Sequence, residues 1–208
     1  MIFKTTAVLF QRVELGLNIH FLSAKMRIMK RLIPCLLFIF FTNVGLAQEK
    51  KWVNPIVKNY GRILELDKVD VAPDPNMEYK ILIELIHDMD APSVANFSAT
   101  NVARLINLHA VGGVKPENLH VAVVIHAKAT NSVVNNDAYK KRYEFDNPYI
   151  KLYEELAEAG VELVVCGQSL SMFGNKSEEV IPQVKIATSA LTAISTYQLK
   201  GYAYFKWD

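Results

Sequence analysis

The sequence is poor in cysteine. It holds two, Cys35 and Cys166, so no disulfide framework can staple the fold. It also lacks a charge excess of either sign. A formal net charge of +2 leaves no clustered basic footprint, and nucleic acid is excluded as a partner on that ground. No phosphate-binding Gly-x-Gly-x-x-Gly follows the first strong strand, so a nucleotide or flavin lacks its usual signature and no cofactor is expected. No Gly-x-Ser-x-Gly nucleophile elbow is present. Internal repeats and low-complexity tracts are absent too. With 51% hydrophobic and 21% charged residues, the chain reads as one soluble domain with an appendage rather than a disordered one.

Long apolar runs are also missing. The longest, from Leu32 to Phe41, is too short for a permanent membrane span. It follows Lys30-Arg31 and precedes Thr42-Asn43-Val44-Gly45-Leu46-Ala47, with small residues at Gly45 and Ala47. A charged start, a short apolar centre and a small-residue cleavage site make residues 29–47 a secretory signal peptide, and the protein is expected to be periplasmic or secreted. A buried N-terminal helix and an uncleaved anchor are the other readings of this segment. Met26 and Met29 lie just before the charged start, so residues 1–28 read as a mis-called start or a leader extension. Removing residues 1–47 takes six of the 23 basic residues and one of the 21 acidic ones, which leaves a mildly acidic balance of −3. Cys166 is then the single thiol. Such a thiol in an exported protein is either buried and inert or reactive and used.

Residues 48–76 form a polar arm punctuated by Pro55, Pro73 and Pro75, with one short strand at most and enough length to wrap a neighbouring subunit. Residues 77–208 are the folded domain. Tyr79 to Ile86 and Leu119 to Ile125 are near-continuous apolar strands, as in a sheet buried on both faces. Between them, Val102, Leu105, Ile106 and Leu108 recur at helical spacing, with Asn96 or Ser98 as cap and Gly112-Gly113 as stop. The loop Ala127 to Asn147 is long enough to hold a short helix near Ala138–Tyr143. Asn147-Pro148 reads as a cap followed by an N1 proline, opening a helix from Tyr149 to Ala159. Val161 to Val165 is a third strand, ending in Cys166-Gly167. Gln168 to Glu179 is a turn or short helix, and Val184 to Ala187 a fourth strand. Thr188 to Leu199 is a helix with Leu191, Ile194 and Leu199 on one side. Tyr202 to Trp207 is a last strand, with Tyr202, Tyr204 and Lys206 facing one way and Ala203, Phe205 and Trp207 the other. Alternating strands and helices predict an α/β fold. It is a doubly wound, mainly parallel five-stranded sheet with helices on both faces.

Sites in such sheets form outside the carboxyl ends of the strands. Three ends carry candidates here. Cys166 closes the third strand before a helix start, where the helix dipole favours a thiolate; the alternative is a small core hydrophobe. His126 closes the second strand and stands beside Cys166 if the two strands are neighbours, where it can stabilise a thiolate. More simply, it is a loop residue with ordinary hydrogen bonds. After the first strand, His87, Asp88 and Asp90 gather one imidazole and two carboxylates, but without a defined ligand geometry no metal is assigned. His109 and His120, inside a helix and a strand, read as structural.

The stretch Tyr149–Ser171, in which a helix ending at Gly160 leads into a strand ending in Cys166, resembles the central segment of the DsrE/DsrF-like sulfur-relay family. The tail fits the same pattern, with Ile181-Pro182, Val184-Lys185-Ile186-Ala187, a helix, and Gly201-Tyr202-Ala203-Tyr204. So does the opening strand with its acidic loop, Ile86-His87-Asp88. The similarity runs from about Tyr79 to Trp207 and is strongest to exported members. It implies a flavodoxin-like fold and a homo-oligomer, a trimer or a hexamer. It also implies that Cys166 carries a persulfide, taken from a donor protein or given to an acceptor protein. The other function class is a non-catalytic oligomeric binding module whose cysteine is buried and structural.

Overall fold

The computed structural model describes residues 51–86 and 93–207. Residues 1–28 and 29–47, expected as leader extension and signal peptide, and the candidates His87, Asp88 and Asp90 lie outside the described residues. The elements in chain order are β1 (Trp52–Val53), β2 (Ile63–Leu64), β3 (Tyr79–Leu85), α1 (Phe97–Val111), β4 (Leu119–Ile125), α2 (Asn136–Tyr143), α3 (Ile150–Glu158), β5 (Glu162–Cys166), α4 (Gly167–Met172), β6 (Val184–Ala187), α5 (Ala190–Leu199) and β7 (Ala203–Trp207). No helix among the described residues is long and apolar enough to cross a membrane.

The described residues form a five-stranded sheet of order β6-β5-β4-β3-β7. All of its neighbouring pairs are parallel. The chain steps one way from β3 to β6 and then crosses back to place β7 beyond β3. Right-handed crossovers in opposite directions lay their helices on opposite faces. Accordingly α1 and α3 cover one face and α5 the other. The fold is the doubly wound, flavodoxin-like α/β class.

The first face is the larger core. Ile81, Ile83, Val121, Val123, Leu163 and Val165 meet Val102 and Ile106 of α1 and Leu152 and Leu156 of α3. The second face is smaller. Leu82, Ala122, Val124, Val164 and Cys166 lie under Ala190, Ala193 and Tyr197 of α5. Here the structure corrects the sequence reading of α5. Leu191 and Leu199 are 82% and 90% exposed, and the two alanines with Tyr197 are the buried side. Small residues let the helix lie close over Ala122 and Val164.

Two helix starts also follow from side-chain chemistry. Asn96 caps α1 by accepting the Ala99 N–H at 2.9 Å. Asn147 does not cap α3 directly, because that helix begins at Ile150. Its Oδ1 accepts the Tyr149 N–H at 2.9 Å, closing a turn before the helix, and its amide donates to the carbonyls of Ser132 and Val134. A fully buried Asn107 on α1 docks the arm onto its own domain. Its Oδ1 accepts from Ile56 and Val57, and its Nδ2 donates to the carbonyls of Val57, Tyr60 and Gly61. Gly61 has a left-handed backbone and no space for a side chain against Ala103 and Arg104. The arm therefore holds two short antiparallel strands, β1 and β2, where the sequence suggested one at most.

Candidate functional site

β5 and β6 are the neighbours whose connections leave in opposite directions. The chain after β5 enters α4, whose Leu170 packs into the first core. The chain after β6 enters α5 on the second face. A crevice opens at such a switch point, and ligands of open α/β sheets bind there. Cys166 is the last residue of β5 and lies at that point. It is the free thiol among the described residues and is 4% exposed. Gly167 follows because a side chain there would press on the Ala187 carbonyl oxygen of β6, 2.9 Å from its Cβ position.

The sulfur is surrounded by hydrogen-bond donors. The Ser169 N–H donates to Sγ at 3.4 Å. The Ser169 hydroxyl and the backbone N–H groups of Gln168 and Ala190 also hydrogen-bond the sulfur. Burial pushes the thiol up, but these donors outweigh it and hold it below its ordinary value. Ala190 is the first residue of α5, so the thiol meets the start of a second helix as well as of its own. Ser169 is itself oriented. Its Oγ accepts the Ala127 N–H at 3.1 Å, which leaves its proton for the sulfur. Ala127 has φ +52°, a left-handed conformation that an alanine adopts only when its surroundings impose it.

His126 precedes Ala127. Its backbone is extended and its N–H donates to the Leu85 carbonyl at 3.0 Å, so β4's path continues through it. Ile125 pairs with Val165, so His126 stands at the rank of Cys166 on the neighbouring strand. The donors to the sulfur are the three residues named above. The His126 imidazole instead engages Glu84 of β3, Nε2 to Oε1 at 2.6 Å. The other carboxylate oxygen accepts the Tyr204 hydroxyl of β7. Glu84 is 8% exposed.

Ser169, Glu84 and Tyr204 were not singled out from the sequence. A signal for Glu84 existed, because it is an acid inside the otherwise apolar run Ile81 to Ile86. The other two described histidines make local contacts away from the thiol. His109 Nδ1 meets the Leu105 carbonyl at 2.8 Å, and its ring lies edge-on to Tyr79. His120 Nε2 pairs with Glu78 at 3.1 Å near the opposite end of the sheet. Among the described residues no group of three metal-ligating side chains exists.

The fold and the site together define a doubly wound α/β protein with a polarised thiol at its switch point. The model of the DsrE/DsrF-like family matches residues 81–207, and the chain belongs to that family. Among solved structures, the protein of unknown function MTH1491 from Methanobacterium thermoautotrophicum is similar. That match has 20% sequence identity and a TM-score of 0.48, and covers 62% of this chain and 99% of that one. No curated protein matches the chain.

Proposed function

We propose that the protein carries sulfane sulfur as a persulfide on Cys166 and passes it to a partner thiol. Membership of the DsrE/DsrF-like family gives a role related to sulfur relay. The observation that supports the finer reading is the ring of donors around Sγ, which favours the thiolate that sulfur transfer needs. The test is polysulfide treatment of the folded full-length protein, followed by mass spectrometry of the Cys166 peptide. One added sulfur atom, removed by a reducing thiol, is the expected result. Neither sulfur nor alkylation on Cys166 in the folded protein would overturn the reading.

One observation favours the other class, a binding module with a structural cysteine: Cys166 is only 4% exposed. Native-state alkylation separates the two, since a structural thiol reacts only after unfolding.

Two further expectations belong to this proposal. The mature protein is a homo-oligomer, a trimer or a hexamer. Exposed Phe205, Tyr204, Ile186 and Leu199 supply the apolar surface that assembly covers. Light scattering at rising concentration tests it, and a constant single-subunit mass rejects it. The protein is also exported with cleavage after Ala47. N-terminal sequencing from the native host decides that, and an intact start at Met1 rejects it.

A further inference from the structure

We propose that Glu84, assisted by Tyr204, is a positioning residue that holds His126 as the proton acceptor and donor for the sulfur on Cys166. The inference rests on the sulfur-carrier reading and adds to it the group that moves the proton.

The starting point is the placement of Glu84. Its strand neighbours Ile81, Leu82, Ile83 and Leu85 are all buried, and β3 is flanked by β4 and β7. The fold needs only an apolar residue there. A buried carboxylate costs stability unless its partners compensate, so its presence calls for a chemical use. Glu84 has two partners. Oε1 meets His126 Nε2 at 2.6 Å and Oε2 accepts the Tyr204 hydroxyl. An ionised Glu84 requires a proton on Nε2. In the neutral imidazole the lone pair is then on Nδ1, the ring nitrogen nearest the backbone.

The second observation is strand rank. Ile125 pairs with Val165 on parallel strands about 4.8 Å apart, so His126 follows β4 at the rank of Cys166; Cys166 lies on the second face, and the bond to Glu84 turns the imidazole to the side that Glu84 occupies. The arrangement is a thiol at the end of β5, an imidazole directly after β4, and on β3 a carboxylate that fixes the imidazole. It follows the logic of a nucleophile, its base and an orienting third group. Among the described residues, the charged and titratable groups on the elements beside His126 are Glu84 on β3, Cys166 on β5, Tyr204 and Lys206 on β7, and Lys128 just after it. Lys185 on β6 is turned to Glu162, at 2.8 Å.

The chemistry balances without an oxidant. His126 takes the Cys166 thiol proton and becomes an imidazolium beside the Glu84 carboxylate. The Cys166 thiolate attacks the outer sulfur of a persulfide donor, R–S–SH. A new S–S bond forms on Cys166 as the donor's S–S bond breaks, and the bonding pair leaves with R–S⁻. The imidazolium proton passes to that leaving thiolate, giving R–SH, and Cys166 ends as the persulfide.

The test reads Cys166 directly, in the folded full-length protein. The rate of iodoacetamide alkylation is followed against pH by mass spectrometry of the Cys166 peptide. Wild type should react well below the pH at which an ordinary thiol does. Glu84→Gln keeps the shape and removes the charge, and it should cut the rate at pH 6.5 about tenfold, the effect of one unit in the thiol's titration. His126→Asn should do the same. The double variant should match the single ones, because the residues act as one unit. Glu84→Asp should restore part of the rate. Should Glu84→Gln fail to fold, Tyr204→Phe at the exposed sheet edge gives a smaller shift in the same direction. Unchanged pH profiles in folded His126→Asn and Tyr204→Phe proteins would overturn the proposal. This readout is separate from the sulfur-carrier reading. Failure of polysulfide to load Cys166 would leave the alkylation profiles standing.

Discussion

The two faces of the sheet are built for different work. The first is a continuous apolar core under two helices, α1 and α3, with fully buried Leu152, Leu156 and Tyr153. The second lies under α5 alone, which uses alanines to approach the sheet. Ionisable and nucleophilic side chains collect on that second face: Glu84, His126, Cys166, Glu162 and Tyr204. In a sheet buried on both sides, one face can supply the stability and leave the other to hold polar groups. The same division explains why Leu191 and Leu199 point outward.

The largest expected effect lies on the first face. Asn107→Leu keeps the branched shape, is somewhat larger, and strands the Ile56 and Val57 N–H groups and the Gly61 carbonyl that dock the arm. Each buried group left unpaired costs about 1–3 kcal/mol. Thermal or denaturant unfolding should therefore show a loss of about 3 kcal/mol or more. A loss below about 1 kcal/mol would mean that the arm contributes little to this face.

A change beside the thiol at the switch point should alter chemistry and leave stability nearly as it was. Ser169→Ala removes the hydroxyl that donates to Cys166 and keeps the N–H that also does. The thiolate loses a donor, so the thiol moves up. The fraction ionised at neutral pH falls, and alkylation slows several-fold. Ser169→Thr keeps the hydroxyl and should retain most of the rate. The pH at half-maximal alkylation is the measurement. An unmoved value in Ser169→Ala would assign the thiol's state to the backbone N–H groups alone.

The smallest effect on the fold should come from the outer side of α5. Leu191→Lys alters a side chain that is 82% exposed, so monomer stability should stay within about 0.5 kcal/mol. If the oligomer covers this surface, the same change lowers the assembled mass seen by light scattering. An unchanged oligomer would move the interface to Phe205 and the β7 edge.

Much of the fold was legible because β3, β4 and β5 are nearly unbroken apolar runs. Such runs occur where both faces of a strand are buried. The strand-end position of Cys166 was legible for the same reason. What escaped depends on contacts between residues far apart in the chain. Glu84 meets Tyr204 across 120 positions, and Ser169 meets Ala127 across 42. Neither pair leaves a local pattern. Leucine in α5 suggested a buried side by hydrophobicity, but Ala190, Ala193 and Tyr197 are the residues that turn to the sheet. Asn107 looks like any helical asparagine until the arm that it binds is in place.

Sulfur transfer requires the second face to present a usable thiolate in the folded protein. The most direct measurement is a time course of sulfur on Cys166 after polysulfide addition at neutral pH, with the thermal midpoint followed on the same sample. One sulfur atom on Cys166 is expected while the protein stays folded, with slower loading in Ser169→Ala. A Cys166 that takes up sulfur and alkylating agent only above the unfolding midpoint would contradict it.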